Sequence, residues 1–94
     1  MDKVNATKLK GDRNMNKLLK FGRVGCNPCK ALENHLKSNN VSYQDLDVEE
    51  DLEMTAKYGI GGVPTLLLVD ENGEVLDRLV GFNPPKADEM ASQL

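Results

Sequence analysis

The sequence predicts a single α/β domain with a four-stranded mixed sheet and helices on both faces. Three observations lead there. The chain has 94 residues, room for one core and no second domain, since domains average roughly 150 residues. Its apolar periodicity alternates between strand and helix patterns, giving the order β-α-β-α-β-β-α. A βαβ unit is right-handed almost without exception, which leaves few ways to assemble that order.

The elements are justified in turn. Residues 1–14 carry Asp2, Lys3, Lys8, Lys10, Asp12 and Arg13, with only Val4 and Leu9 as sizeable apolar groups and no period. They read as a flexible N-terminal extension ahead of a domain over residues 15–94. Residues 18–24 form a strand stopped by Gly25. An amphipathic helix follows from Pro28, with Ala31, Leu32, His35 and Leu36 at helical spacing and Ser38-Asn39-Asn40 ending it. Residues 41–48 alternate apolar with polar and give the second strand. The second helix has Asp47 or Glu49 near its start and Glu50 and Asp51 in its first turn, where the helix dipole favours negative charge. Leu52, Ala56 and Tyr58 are expected to face inward, with Gly59 as the C-terminal cap. Residues 63–69 are a β-branched and aliphatic run suited to a buried central strand. The Asn72-Gly73 turn joins them to residues 74–80 as a hairpin. Asn83 caps a last helix with Pro84 at its first position, and Ala87, Met90, Ala91 and Leu94 make its apolar face.

Composition narrows the function. Hydrophobic residues make up 39% and charged residues 29%, which suits a globular chain and argues against disorder. The net charge is −3, from 12 Lys+Arg against 15 Asp+Glu, and 4% of residues are aromatic with no Trp. Nothing there holds phosphates or stacks on bases, so no nucleic-acid partner is expected. The longest aliphatic run, Leu66-Leu67-Leu68-Val69, falls far short of the ~20 residues of a membrane helix. Residues 1–7 lack the apolar stretch of a signal peptide. A cytoplasmic protein with no membrane partner, acting as a monomer, is expected.

In that setting Cys26 and Cys29 become the most informative residues. Cys26-Asn27-Pro28-Cys29 sits where a strand hands over to a helix. The free N–H groups of a first helical turn present partial positive charge, which stabilises a thiolate over a thiol. Such a cysteine can have its pKa lowered from about 8.5 to anywhere from roughly 3.5 to 7.5. Cys26 would lie exposed at the mouth of the turn, and Cys29 would be shielded one turn in. Lys30 adds positive charge, and Pro28 suits a first turn because its missing N–H would go unsatisfied anyway. Half of a zinc site, a structural disulfide and unrelated thiols remain open beside redox chemistry, although only His35 could complete a metal set. No Gly-rich dinucleotide fingerprint is present, so the chain is expected to bind no cofactor.

The wider pattern is more specific. Cys26-Asn27-Pro28-Cys29-Lys30 resembles the Cys-Gly-Pro-Cys-Lys centre of thioredoxins, with Asn27 for glycine. Residues 57–68 are similar to the thioredoxin segment that holds a cis-proline, and Asn72-Gly73-Glu74-Val75 and Val80-Gly81 match its hairpin and following glycine. The resemblance covers residues 17–94. It implies a minimal thioredoxin fold of glutaredoxin size, a redox-active Cys26–Cys29 dithiol and a cis bond between Val63 and Pro64. It also implies that backbone at Gly62 and Val63 pairs with the bound substrate chain.

The implied activity is reduction of disulfide-containing client proteins, with Cys26 attacking, Cys29 resolving and thioredoxin reductase as electron donor. Alternatives are a glutathione-dependent glutaredoxin and an interaction module with idle cysteines. The glutathione signature of glutaredoxins is not evident, since Phe82 and Asn83 follow Gly81. Other departures stand out. Gly25 replaces the Trp that usually precedes the first cysteine, and Lys20 replaces a buried carboxylate six residues before it. Lys20 has two readings: a surface residue at a strand end, or a charge aimed at Cys29 that favours its thiolate. His35 lies six residues beyond Cys29 and reads as a surface or boundary residue.

Overall fold

The computed structural model describes residues 15–94, so the extension expected over residues 1–14 lies outside the described residues. The elements are β1 (Lys17–Gly22), α1 (Asn27–Ser38), β2 (Gln44–Asp47), α2 (Leu52–Lys57), β3 (Thr65–Val69), β4 (Val75–Val80) and α3 (Pro84–Ala91). They build one sheet in the order β2-β1-β3-β4. β1 and β2 run parallel with α1 as their crossover, whereas β3 is antiparallel to both its neighbours. This is the minimal thioredoxin fold that the resemblance implied.

Alternation along the central strands makes two cores. Leu66 and Leu68 of β3 join Leu18, Leu79, the α1 residues Leu32 and Leu36, and the α3 residues Ala87 and Met90. Leu67 and Val69 point the other way and join Leu19, Phe21 and Leu46, with Met54 of α2 and Tyr58 packed against them. All of β3 is buried, and each Leu so placed contributes about 1.5–3 kcal/mol relative to exposure. Helices therefore cover both faces, α1 and α3 on one and α2 on the other.

Several boundaries differ from the sequence reading. β1 ends at Gly22, because Val24 and Gly25 form a turn in which Gly25 takes φ +83°. β2 is confined to residues 44–47. Ahead of it, Asn40 adopts φ +57° and the Val41 amide donates to Leu36 O at 2.9 Å, closing α1. α2 starts only at Leu52, since Asp47 and Asp51 bond each other first: the Asp47 amide donates to Asp51 Oδ2 at 2.8 Å, and the Asp51 amide to Asp47 O at 2.7 Å. Short carboxylates compete in this way with helical hydrogen bonds. Leu52 and Ala56 face solvent rather than inward, with Leu52 65% exposed, whereas Tyr58 packs on the core as expected and Met54 joins it there. α3 begins as expected, with Asn83 Oδ1 accepting from the Lys86 amide at 3.2 Å. Its Ala87 and Met90 are buried, but Leu94 stands off the core, 42% exposed.

Candidate active site

The chain leaves β1 at Gly22, turns through residues 23–25 and enters α1 at Cys26, which is the N-cap with extended backbone. Asn27 and Pro28 begin the helix, where a proline removes no needed donor. Cys29 comes next, and its backbone amide donates to Cys26 Sγ at 3.2 Å. The Lys30 amide donates to Cys26 O at 3.1 Å. The two sulfurs are joined in a disulfide. Cys26 is half-buried, whereas Cys29 is 4% exposed. No acidic residue stands in the first turn of α1 to oppose the positive end of the helix. Asn27, Pro28 and Lys30 are exposed around the pair.

The start of β3 closes the other side of this end of the sheet. Phe21 of β1 is the register partner of Thr65, so the residues before Thr65 sit beside the end of β1 that leads to Cys26. There Val63–Pro64 is a cis peptide. Pro64 is buried, Val63 half-buried and Gly62 exposed. The loop is pinned on both flanks. Thr65 Oγ1 donates to Gly62 O at 2.7 Å, and the Gly81 amide donates to Pro64 O at 2.8 Å.

Lys20 is not a surface residue. It is 4% exposed, and its Nζ donates to Asp45 Oδ1 at 2.9 Å. A cleft of about 450 Å³ runs from Cys26 and Cys29 past Gly22 and Lys20 to Asp45. Glu33 of α1 also lines it. The Lys37 hydrogen bond holds the Glu33 carboxyl below its ordinary range, with a smaller contribution from the Lys20 charge. His35 lies away from the sulfurs, in the seam between α1 and α3. Its Nε2 is 2.8 Å from Asp88 Oδ1, and its ring packs edge-on against Phe82.

Two residues of this site escaped the sequence reading, Asp45 and Gly22. Asp45 had a faint signal: it carries the charge opposite to Lys20 on the strand that a βαβ unit places beside β1. Only the register Lys20↔Asp45 makes that signal readable. Gly22 carried none, because its role depends on what packs over it.

A cysteine pair that closes a disulfide at the amino end of a helix, on this fold, defines a thiol–disulfide oxidoreductase. Comparison with known proteins places it further. The thioredoxin-like domain family matches residues 3–94, and the chain belongs to that family. The SPbeta prophage-derived thioredoxin-like protein YosR of Bacillus subtilis is 37% identical over 78 residues, covering 83% of this chain and 98% of that protein. Thioredoxin of the same bacterium is 36% identical over 76 residues, 74% of this chain and 72% of its own. Among solved structures, oxidised mitochondrial thioredoxin 3 of Saccharomyces cerevisiae shares the fold with a TM-score of 0.74. That match covers 87% of this chain and 81% of the other at 23% identity. Among the described residues no helix is long and apolar enough to cross a membrane.

Proposed function

We propose that this protein reduces disulfides in client proteins as a dithiol electron carrier. The observation that carries the reading is the asymmetry of the two sulfurs. Cys26 is only half-buried and its Sγ accepts a helix amide at 3.2 Å, while Cys29 is buried. A thiolate is favoured at Cys26 by the amides of α1 and by Lys30, with Asn27-Pro28 holding the turn. That thiolate attacks a client disulfide, so a Cys26–client bond forms and the other client sulfur leaves as a thiolate. Cys29 then attacks Cys26, the Cys26–client bond breaks, and the client departs with two electrons gained. Backbone at Gly62 and Val63, beside Pro64, pairs with the client segment as an added strand.

Thioredoxin reductase, a flavin enzyme using NADPH, returns the two electrons by analogy with the family, and the chain binds no cofactor of its own. The redox domain spans residues 15–94 and works as a cytoplasmic monomer. Insulin-disulfide reduction tests the whole reading, with thioredoxin reductase plus NADPH in one arm and glutathione in the other. Turnover in the first arm is expected. Turnover only with glutathione reassigns the donor, and turnover in neither arm ends the proposal.

A further inference from the structure

Beneath the cysteine pair lies a charge that this cycle does not yet use. Among the described residues Lys20 is the charged side chain that is buried, at 4% exposure. Lysine is almost never inside unless paired, and the partner here is Asp45, its register neighbour across β1 and β2. Stability does not account for the pair. Desolvating the Lys20 ammonium costs several kcal/mol, and Asp45, whose side chain is 60% exposed, repays little of it, because water screens a pair with one partner in solvent. The same face of the sheet carries Leu18 and Leu66, so an apolar side chain would suit it.

The placement achieves proximity to a sulfur. A Cβ on Gly22 would stand 3.2 Å from Cys29 Sγ and 3.5 Å from Lys20 Nζ. Ammonium and sulfur therefore flank one methyl-sized space, and that space exists because residue 22 is glycine. Cys29 is 4% exposed, so water gives little help to the thiolate that the resolving step requires.

We propose that the Lys20–Asp45 pair is the electrostatic device that makes Cys29 a competent resolving thiolate. The inference deepens the disulfide-reductase reading and rests on it. Lys20 supplies the counter-charge. Asp45, whose side chain is 60% exposed, is a positioning residue that holds Lys20 Nζ in place. Once Cys26 carries a client, Cys29 gives its proton to water in the cleft. Its thiolate attacks Cys26 Sγ, the Cys26–Cys29 bond forms, and the Cys26–client bond breaks. The client sulfur leaves with the electron pair, so no outside oxidant enters. A carboxylate at this place would take the proton but repel the thiolate. An ammonium cannot take the proton, and acts by its field instead. Arg23 and Lys30 also face the cleft, as do Glu33, Asp47, Glu50 and Asp51. None of these six is buried, so water screens them more than it screens Lys20.

The test uses the reduced full chain and a small aromatic disulfide, Ellman's reagent, followed by stopped flow. The first coloured thiolate released reports attack by Cys26. The second, whose rate does not depend on reagent concentration, reports resolution by Cys29. Lys20→Met is expected to slow the second phase about tenfold at neutral pH, raising its pH midpoint by about one unit. The double variant Lys20→Glu/Asp45→Lys keeps an ion pair but reverses the charge facing Cys29. It should raise that midpoint further while leaving the urea midpoint near that of the wild type. An unchanged second-phase pH profile in Lys20→Met overturns the proposal, and so does a wild-type profile in the reversed pair. If Lys20→Met fails to fold, the reversed pair decides alone. The reagent needs neither client nor reductase, so a failure to reduce insulin is distinguishable from a failure here.

Discussion

The backbone amide of Cys29 donates to the sulfur of Cys26 across 3.2 Å, so one cysteine caps the helix that buries the other. An N-cap is normally filled by Ser, Thr, Asp or Asn, whose oxygen satisfies one of the orphan amides of the first turn. A neutral thiol is a weak acceptor, whereas a thiolate is a strong one. The requirement for a capped helix and the requirement for an activated nucleophile are met here by one contact.

The two sulfurs should therefore be chemically distinct. Cys26→Ser is expected to reduce insulin-disulfide turnover to background, whereas Cys29→Ser should accumulate a mixed disulfide visible by mass spectrometry. In the reduced protein at neutral pH, iodoacetamide should modify Cys26 about tenfold faster than Cys29. Faster alkylation of Cys29 would reverse the assignment.

A buried ammonium beside the pair stabilises its reduced, thiolate-bearing form, which raises the reduction potential. The wild-type potential is expected to be less negative than the roughly −270 mV of thioredoxin. Lys20→Gln should make it more negative by about 30 mV for each tenfold change in the exchange equilibrium. Equilibration against glutathione redox buffers measures both, and equal potentials would leave Lys20 a purely structural residue.

Burial predicts a sharp contrast between two leucines. Leu66 is 0% exposed in the central strand, and Leu52 is 65% exposed at the start of α2. Leu66→Ala should destabilise the fold by about 2–5 kcal/mol in urea unfolding. Leu52→Ala should change stability by no more than about 0.5 kcal/mol. Similar losses at both positions would mean that α2 packs differently from the arrangement described.

Asp77 of β4 and Lys86 of α3 pair at 2.8 Å. The Lys86 hydrogen bond, and after it the Arg78 amide, hold the Asp77 carboxyl below the ordinary carboxylate range. A carboxyl depressed in the folded state contributes stability above its unfolded pKa and loses it as pH falls through the folded one. Asp77→Asn should therefore lower Tm slightly at neutral pH, and the difference from wild type should vanish in acid. Lys86 is shifted the opposite way, raised by Asp77 and then Glu89, so its share persists until strongly alkaline pH. A difference in Tm that grows as pH falls would contradict this sign.

Much of the site was legible because its signals are local. Cys26, Pro28 and Cys29 lie within four consecutive residues at a strand-to-helix junction, and helix-terminus physics acts over that same span. Asn83 and Pro84 marked the start of α3 for the same reason. The second helix was misplaced where side-chain and backbone bonds compete within one turn. Residues 47–51 carry acidic groups suited to a first helical turn, yet Asp47 and Asp51 bond each other and postpone the helix to Leu52. No periodicity in the chain records that competition, nor that Leu52 and Ala56 face solvent.

By itself the sequence determined the order of elements, the two-sided burial of β3 and the placing of the cysteine pair at the start of a helix. Each of these follows from the period of side chains or from chemistry within one turn. Tertiary structure alone decided what Lys20 is. From residue order it could as well have been a solvated strand end. The parallel register of β1 and β2 sets Asp45 opposite it, and the missing side chain of Gly22 opens its ammonium toward Cys29. A charge is felt through space, at a range set by distance and burial. Residues far apart in the chain meet at that range only after the sheet has formed.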